Sequence, residues 1–321
     1  MNTYPLLVAS LLIAPSLAVA QTSSAGSTEP VIAPAATTPA DARPSVADKS
    51  WSLSIGPTAR HYFSTDLRDT PGSFSLSRVG AEADFGLNLG EGWRLGVGLE
   101  GDVSVYDFDG ATTLIPGAGG EPFDDVYTVR AVPRLSHRLD DKWSYTIGGI
   151  LEMSGESGAD VGESISGGGL FSVRYRFNEN FSLSGGIGAK SSLSDSAFVF
   201  PLLGVEWQIT EKLRFETRGL GAALTLTLSE QWSVALEAEY DRHEFRLDDS
   251  RAAAREGVVR DSRLPIGLSA TYSPTPTIDL TVRGGVVAWQ QFRIENRDGV
   301  EISERRSDPA GFVGGNVTFR F

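Results

Sequence analysis

The sequence predicts an all-β chain closed into an antiparallel up-and-down transmembrane β-barrel of fourteen strands, and three observations predict it. Apolar residues alternate with small or polar ones at period two along most of residues 49–321. The connections alternate between short polar turns and longer Gly- and Asp-rich loops, as in a meander. Five of the six tryptophans stand beside the short turns, where a membrane interface accounts for a ring of Trp and a soluble rim does not.

The alternation is explicit element by element. Trp51, Leu53 and Ile55 alternate with Ser, and Trp93, Leu95, Val97 and Leu99 alternate with Arg94, Gly96, Gly98 and Glu100. The same pattern returns at Trp143–Leu151, Phe171–Phe177, Trp232–Tyr240 and Leu264–Tyr272. Short turns stand at Gly90-Glu91-Gly92, Asp140-Asp141-Lys142, Asn178-Glu179-Asn180, Thr210-Glu211-Lys212 and Ser229-Glu230-Gln231. Long loops fall near 64–72, 109–123, 154–165, 247–258 and 294–309. Rising strands from Trp51, Trp93, Trp143, Phe181, Leu213, Trp232 and Ile278 make seven hairpins and hence fourteen strands. The weakest is 213–228, around Gly219-Leu220-Gly221; without it the count is twelve. In lipid an open sheet edge leaves backbone groups unpaired, so the sheet is expected to close. Trp51, Trp93, Trp143, Phe177, Phe181, Trp207 and Trp232 are the expected interface aromatics.

Ahead of the barrel, residues 1–20 read as a secretory signal peptide, with an apolar run from Leu6 to Val19 and Ala18-Val19-Ala20 before Gln21. Residues 21–48, rich in Ala, Ser, Thr and Pro, read as a disordered periplasmic tether. The barrel is then 49–321.

Composition removes other classes. The chain has 321 residues, 28 Lys+Arg against 41 Asp+Glu, a net charge of -13 and no Cys. Such acidity repels nucleic-acid phosphates, and without Cys there is no disulfide framework, thiolate zinc site or Cys nucleophile. No apolar run after residue 20 is long enough for a membrane helix. Nearly all the net negative charge falls in the long-loop segments, which gives an acidic extracellular crown.

The chain ends Val313, Gly315, Val317, Phe319, Phe321 in alternation. This ending resembles the C-terminal signature of bacterial outer-membrane β-barrels. The resemblance implies an outer-membrane location, an assembly signal at Val317, Phe319 and Phe321, and recognition by the barrel-assembly machinery. The stretch from Pro201 through Asp241 is similar to an outer-membrane barrel family of unknown function, which supplies no catalytic residues.

With the apolar set facing lipid, the opposite set faces the lumen. It comprises Arg94, Arg174, Arg176, Glu206, Arg214 and Glu216 near the short turns, then Arg134, Arg218, Glu237, Glu239 and Arg283, then Glu100, Asp102, Arg130, Asp241 and Arg263. Both signs occur at every level, so cross-lumen ion pairing is the simplest account. The rows fit a charged constriction in a narrow channel for small solutes or polar filler in a structural or surface-interaction barrel without an open pore. No long loop stands out as a constriction element. Glu237, Glu239, Asp241 and His243 form an acidic row. Neighbours at i and i+2 lie nearly 7 Å apart, so ion pairing, with Arg263 as partner, is favoured over a metal site.

His61, His137 and His243 are the histidines, and a Ser-His-acid group assembled across strands would make a hydrolase. No G-x-S-x-G elbow is present, and a non-enzyme is expected, with neither cofactor nor metal. Gly96-Val97-Gly98-Leu99-Glu100-Gly101 has dinucleotide-loop spacing but lies inside a strand, and Asp107-Phe108-Asp109-Gly110 lacks the later ligands of a calcium loop. The expected partners are outer-membrane lipid and lipopolysaccharide, with a monomer favoured.

Overall fold

The computed structural model describes residues 50–119, 121–194, 197–249 and 254–321. The signal peptide and tether expected over 1–48 lie outside the described residues. Sixteen β segments follow one another: β1 (Trp51–Asp66), β2 (Ser73–Gly90), β3 (Trp93–Asp109), β4 (Val126–Arg138), β5 (Trp143–Glu156), β6 (Ile165–Asn178), β7 (Phe181–Ser191), β8 (Ala197–Gln208), β9 (Leu213–Arg218), β10 (Gly221–Thr227), β11 (Trp232–Glu239), β12 (Asp241–Arg246), β13 (Val258–Thr275), β14 (Ile278–Glu295), β15 (Glu301–Arg306) and β16 (Ala310–Arg320). Segments β11 and β12 are two parts of one path, separated by Tyr240; β15 and β16 are separated only by residues 307–309. The wall therefore has fourteen strands.

Every wall strand pairs antiparallel with its neighbours, and β1 pairs with β16, Ser54 opposite Arg320 and Tyr62 opposite Phe312, so the sheet closes. Alternation decides the two faces. On β3, Leu99 and Val105 are exposed outward, whereas Gly96, Ser104 and Tyr106 are buried inside. On the outer surface Val199, Leu268 and Val282 are each 65% exposed and Leu203 76%. A continuous apolar band of this kind is stable only against hydrocarbon. At the short-turn end Trp51, Trp143, Phe177, Trp207 and Trp232 stand exposed on the same surface. Trp93 stacks on His137 at 4.1 Å, and Phe181 lies 5.3 Å from Phe177.

The 213–228 hairpin is a genuine strand pair, and a short one. Gly219, at φ 60°, turns β9 directly into β10. β9 pairs with β8 only from Glu206 to Gln208. Where the ladder stops, the Val205 N–H donates instead to Thr217 Oγ1 at 2.9 Å.

Above that level the β11–β12 path leaves the wall. On β11 the even positions Trp232 and Leu236 face lipid, yet on β12 the even positions are Glu244 and Arg246, both buried, and Arg242, whose side chain is 6% exposed. Charged groups cannot continue a lipid-facing row, so the strand bends inward at Tyr240. It crosses the lumen far enough for Arg246 to pair in parallel with Gly155 of β5, on another part of the barrel.

Candidate functional site

From the short-turn end upward the lumen is charged and reached by water. Arg174 donates to Glu206 at 2.6 Å, Arg214 pairs with Glu216 at 2.8 Å, and Arg94 donates to Ser52 at 3.1 Å. Arg176 is exposed at the rim. Higher up, Arg134 holds Asp84 at 2.5 Å, Arg283 donates to Asn316 at 3.0 Å, Glu237 accepts from Ser269 at 2.8 Å, and Arg60 lies 3.8 Å from Glu239. The side chains of Glu239 and Glu100 are 51% and 44% exposed although they point inward, which marks an open vestibule. The side chain of Arg218 lies outside the described residues.

At mid-height the charges interlock. Arg130 bridges Glu152 at 2.7 Å and Glu100 at 3.0 Å, and Lys190 takes the other oxygen of Glu152 at 2.9 Å. Arg78 binds Asp241 at 3.1 Å, lies 3.5 Å from Asp102 and donates to His243 Nδ1 at 3.2 Å. Arginine only donates, so His243 Nδ1 accepts and its Nε2–H donates to Thr128 Oγ1 at 2.5 Å. Each carboxylate here has its cation, the condition under which buried charge is tolerated.

Two expectations from sequence are corrected here. Arg263 does not pair with the acidic row. It sits opposite Asp241 in register, but its guanidinium is bound to Asp261 on its own strand and lies over the Tyr62 ring at 4.6 Å. Asp261 is a stronger attraction because it is equally buried and also accepts from Tyr106 Oη at 2.8 Å and Gln290 at 2.9 Å. The second correction concerns the constriction. It is present, built from β12 and the segment between β3 and β4. Leu114, Ile115, Phe123, Phe245 and Leu247 form a dry plug with Leu76, Phe292 and Ile294 from the wall, each at most 1% exposed. Phe123 meets Tyr106, Phe108 and Phe245 edge-on at 4.9 to 5.1 Å. The axial path toward the long loops is filled.

Loops fasten β12 in place. Arg246 donates to the carbonyls of Leu193 at 2.6 Å, Glu256 at 2.7 Å and Glu163 at 3.0 Å. Glu244 accepts from the Leu193 N–H at 2.7 Å, and Arg242 lies over Phe198 at 5.8 Å. Since Phe198 points into the lumen, that last contact fixes β12 inside the barrel.

The bend leaves the wall incomplete. Above the β9–β10 tip, β8 keeps its partner β7 but pairs with nothing on the other side among the described residues. Odd residues of β8 direct their backbone to that side, as Val205 does, and one of them is Pro201, which has no N–H to leave unpaired. Val199 and Leu203 border the break outside, and Ile150, Phe198 and Phe200 with Leu170 and Leu202 form an apolar cluster just inside. Gly188 makes room for Phe200, since a Cβ there would meet the ring at 2.3 Å.

Sequence reasoning missed Arg60, Arg78, Glu82, Asp84, Glu152 and Lys190 as lumen charges; the parity of β1, β2, β5 and β7 would have found them. The histidines form no Ser-His-acid relay: Nδ1 of His243 faces Arg78, His61 Nδ1 bonds Ser77 at 2.9 Å, and His137 stacks on Trp93. No cluster of metal-ligating side chains occurs among the described residues.

No curated protein sequence matches the chain. Among solved structures, the Pseudomonas putida toluene transporter TodX is similar at 10% identity and TM-score 0.44, over 85% of this chain and 90% of that one. The COG4313 outer membrane channel from Pseudomonas putida F1 is similar at 12% identity and TM-score 0.42, over 84% and 96%. LpxR from Salmonella typhimurium follows at 12% identity and TM-score 0.33, over 84% and 99%. Resemblance at these values concerns barrel architecture alone. Residues 136–317, more than half of the chain, match the family described as Domain of unknown function (DUF6268), and the protein belongs to that family.

Proposed function

We propose that the protein is an outer-membrane permeation barrel for small solutes, with the short turns and the tether in the periplasm and the long loops outside. The observation that carries this reading is the half-filled lumen. A charged, water-reached vestibule rises from the short-turn end and stops beneath the dry plug, at the level where the wall is unpaired. A barrel serving only as architecture gains nothing from an unpaired strand edge in hydrocarbon, where each unsatisfied group costs several kcal/mol. The Arg and Glu rows line the vestibule and neutralise one another. The plug gives the structural reading its support, because the filled upper lumen offers no axial pore.

The test is solute permeation in cells with and without the protein, using small solutes that span polar to apolar. Faster uptake of at least one class is expected. Identical rates for the whole panel would overturn the permeation reading in favour of the structural one.

A further inference from the structure

We infer that the break between β8 and the inward-bent β12 is a lateral portal that admits small, uncharged, apolar molecules from the bilayer into the vestibule. The inference rests on the permeation reading and names its route and substrate class.

The portal's position follows from register. β9 ends at Arg218, opposite the level of Gly204, and on the far side Gly221 pairs with Glu239. Above this line β8 runs on to Ala197 with no partner on that side among the described residues, about 13 Å of strand edge from Leu203 to Val199 at 3.3 Å per residue. Those residues belong to the lipid-facing wall, so the break opens toward hydrocarbon rather than toward water.

The lining selects the occupant. The outer border is Val199 and Leu203, and the inner border is Phe198, Phe200 and Leu202, with the two phenyl rings 5.6 Å apart. The β8 side of the break is apolar, and on the β12 side stand Arg242, which lies over Phe198, and Glu244, paired with it at 3.5 Å. A charged solute would lose its hydration at this edge, and the charges just inside, Arg242 and Glu244, are already paired with each other. A flat apolar molecule already dissolved in lipid loses little on entering, and because Phe198 and Phe200 are 5% and 1% exposed it passes by parting these packed rings rather than through a standing hole. Beyond them lie the buried Lys190–Glu152 pair and then the water-reached Glu100 and Glu239, a polar floor that returns the molecule to the aqueous side.

The experiment measures uptake of N-phenyl-1-naphthylamine, an uncharged aromatic probe, by cells whose lipopolysaccharide leaflet is intact, with arabinose as the polar comparator. Two variants alter the portal. One lengthens the β9–β10 hairpin by two residues on each side of Gly219-Leu220, so that it pairs further along β8. The other is Leu202→Glu. The wild type is expected to accelerate probe uptake, and both variants, with retained heat-modifiable mobility, to return it to the rate of cells lacking the protein. Faster arabinose uptake without faster probe uptake would overturn the portal and leave the permeation reading standing. Acceleration of neither would overturn both. Unchanged probe uptake through the lengthened hairpin would place the route elsewhere. Should a variant fail to fold, Leu202→Cys serves, since it is the sole thiol of a Cys-free chain. Pyrene maleimide dissolved in the bilayer should label it, and N-phenyl-1-naphthylamine should slow the labelling. No labelling, or labelling blocked by a tightly held phospholipid seen by native mass spectrometry, would overturn the portal.

Discussion

Replacing Phe245 with Ala tests the dry plug directly. Phe245 is fully buried on the inward-bent β12, 5.1 Å from Phe123, 5.7 Å from His243 and 6.1 Å from Tyr106. Losing the ring forfeits about 2–3 kcal/mol of apolar burial and about 1 kcal/mol from the edge-on contact with Phe123. A void that closes only in part adds to this, so the loss should reach about 3–5 kcal/mol. Urea unfolding in short-chain lipid vesicles, followed by tryptophan fluorescence, measures it. The same variant should carry more ion current in planar bilayers than the wild type, because the void interrupts the seal. A destabilisation below about 1 kcal/mol, the range of a solvated site, together with unchanged current would refute a packed, water-free upper lumen.

Further outcomes follow from other features. Glu152→Leu should destabilise the barrel by roughly 3–5 kcal/mol, because it removes the carboxylate of the buried Lys190 and leaves Arg130 with Glu100 alone, and Lys190→Met should cost less because Arg130 still holds Glu152; urea unfolding of the two variants compares them. The Asp140 carboxylate, in the turn between β4 and β5, accepts the N–H groups of Trp143 and Lys142, each at 2.7 Å, and these bonds hold its pKa below the usual carboxylate range. Its folded value is the lower one, so its contribution to stability is present above the ordinary Asp range and disappears as pH falls through the folded value. Carbon-detected NMR titration in micelles should find this carboxyl titrating lower than an unpaired Asp, and an ordinary value would refute the bonding. In Trp289→Phe protein, lipids brominated near the glycerol should quench the remaining tryptophans more than lipids brominated near the terminal methyl, and the reverse order would contradict an interfacial belt.

Strand number, closure and the lipid-facing set were legible because a two-residue period assigns a face to every position once one face is known. The plug was not. Residues 109–123 look like an acidic surface loop, and Asp109 and Glu121 are solvent-facing, but Leu114, Ile115 and Phe123 of this segment are buried. Tyr106 and Phe108 of the preceding β3 meet Phe123, but the other partners come from β2, β12 and β14, a long-range fact that no local pattern holds. The bend at Tyr240 left a readable sign, since Arg242, Glu244 and Arg246 occupy the parity that Trp232, Val234 and Leu236 give to lipid. Arg263 misled because neighbours in register are not always partners when a closer carboxylate shares the face.

The break beside β8 also divides the barrel mechanically. Below Gly204 hydrogen bonds run around the circumference as an uninterrupted hoop, and such a hoop resists widening because every seam must stretch together. Above it the cylinder is split along one side, and a split ring changes width by flexing at the point opposite the cut. Shape change is thereby confined to the upper half of this molecule, with the loop clamps on Arg246 and Glu244 serving as the clasp across the cut.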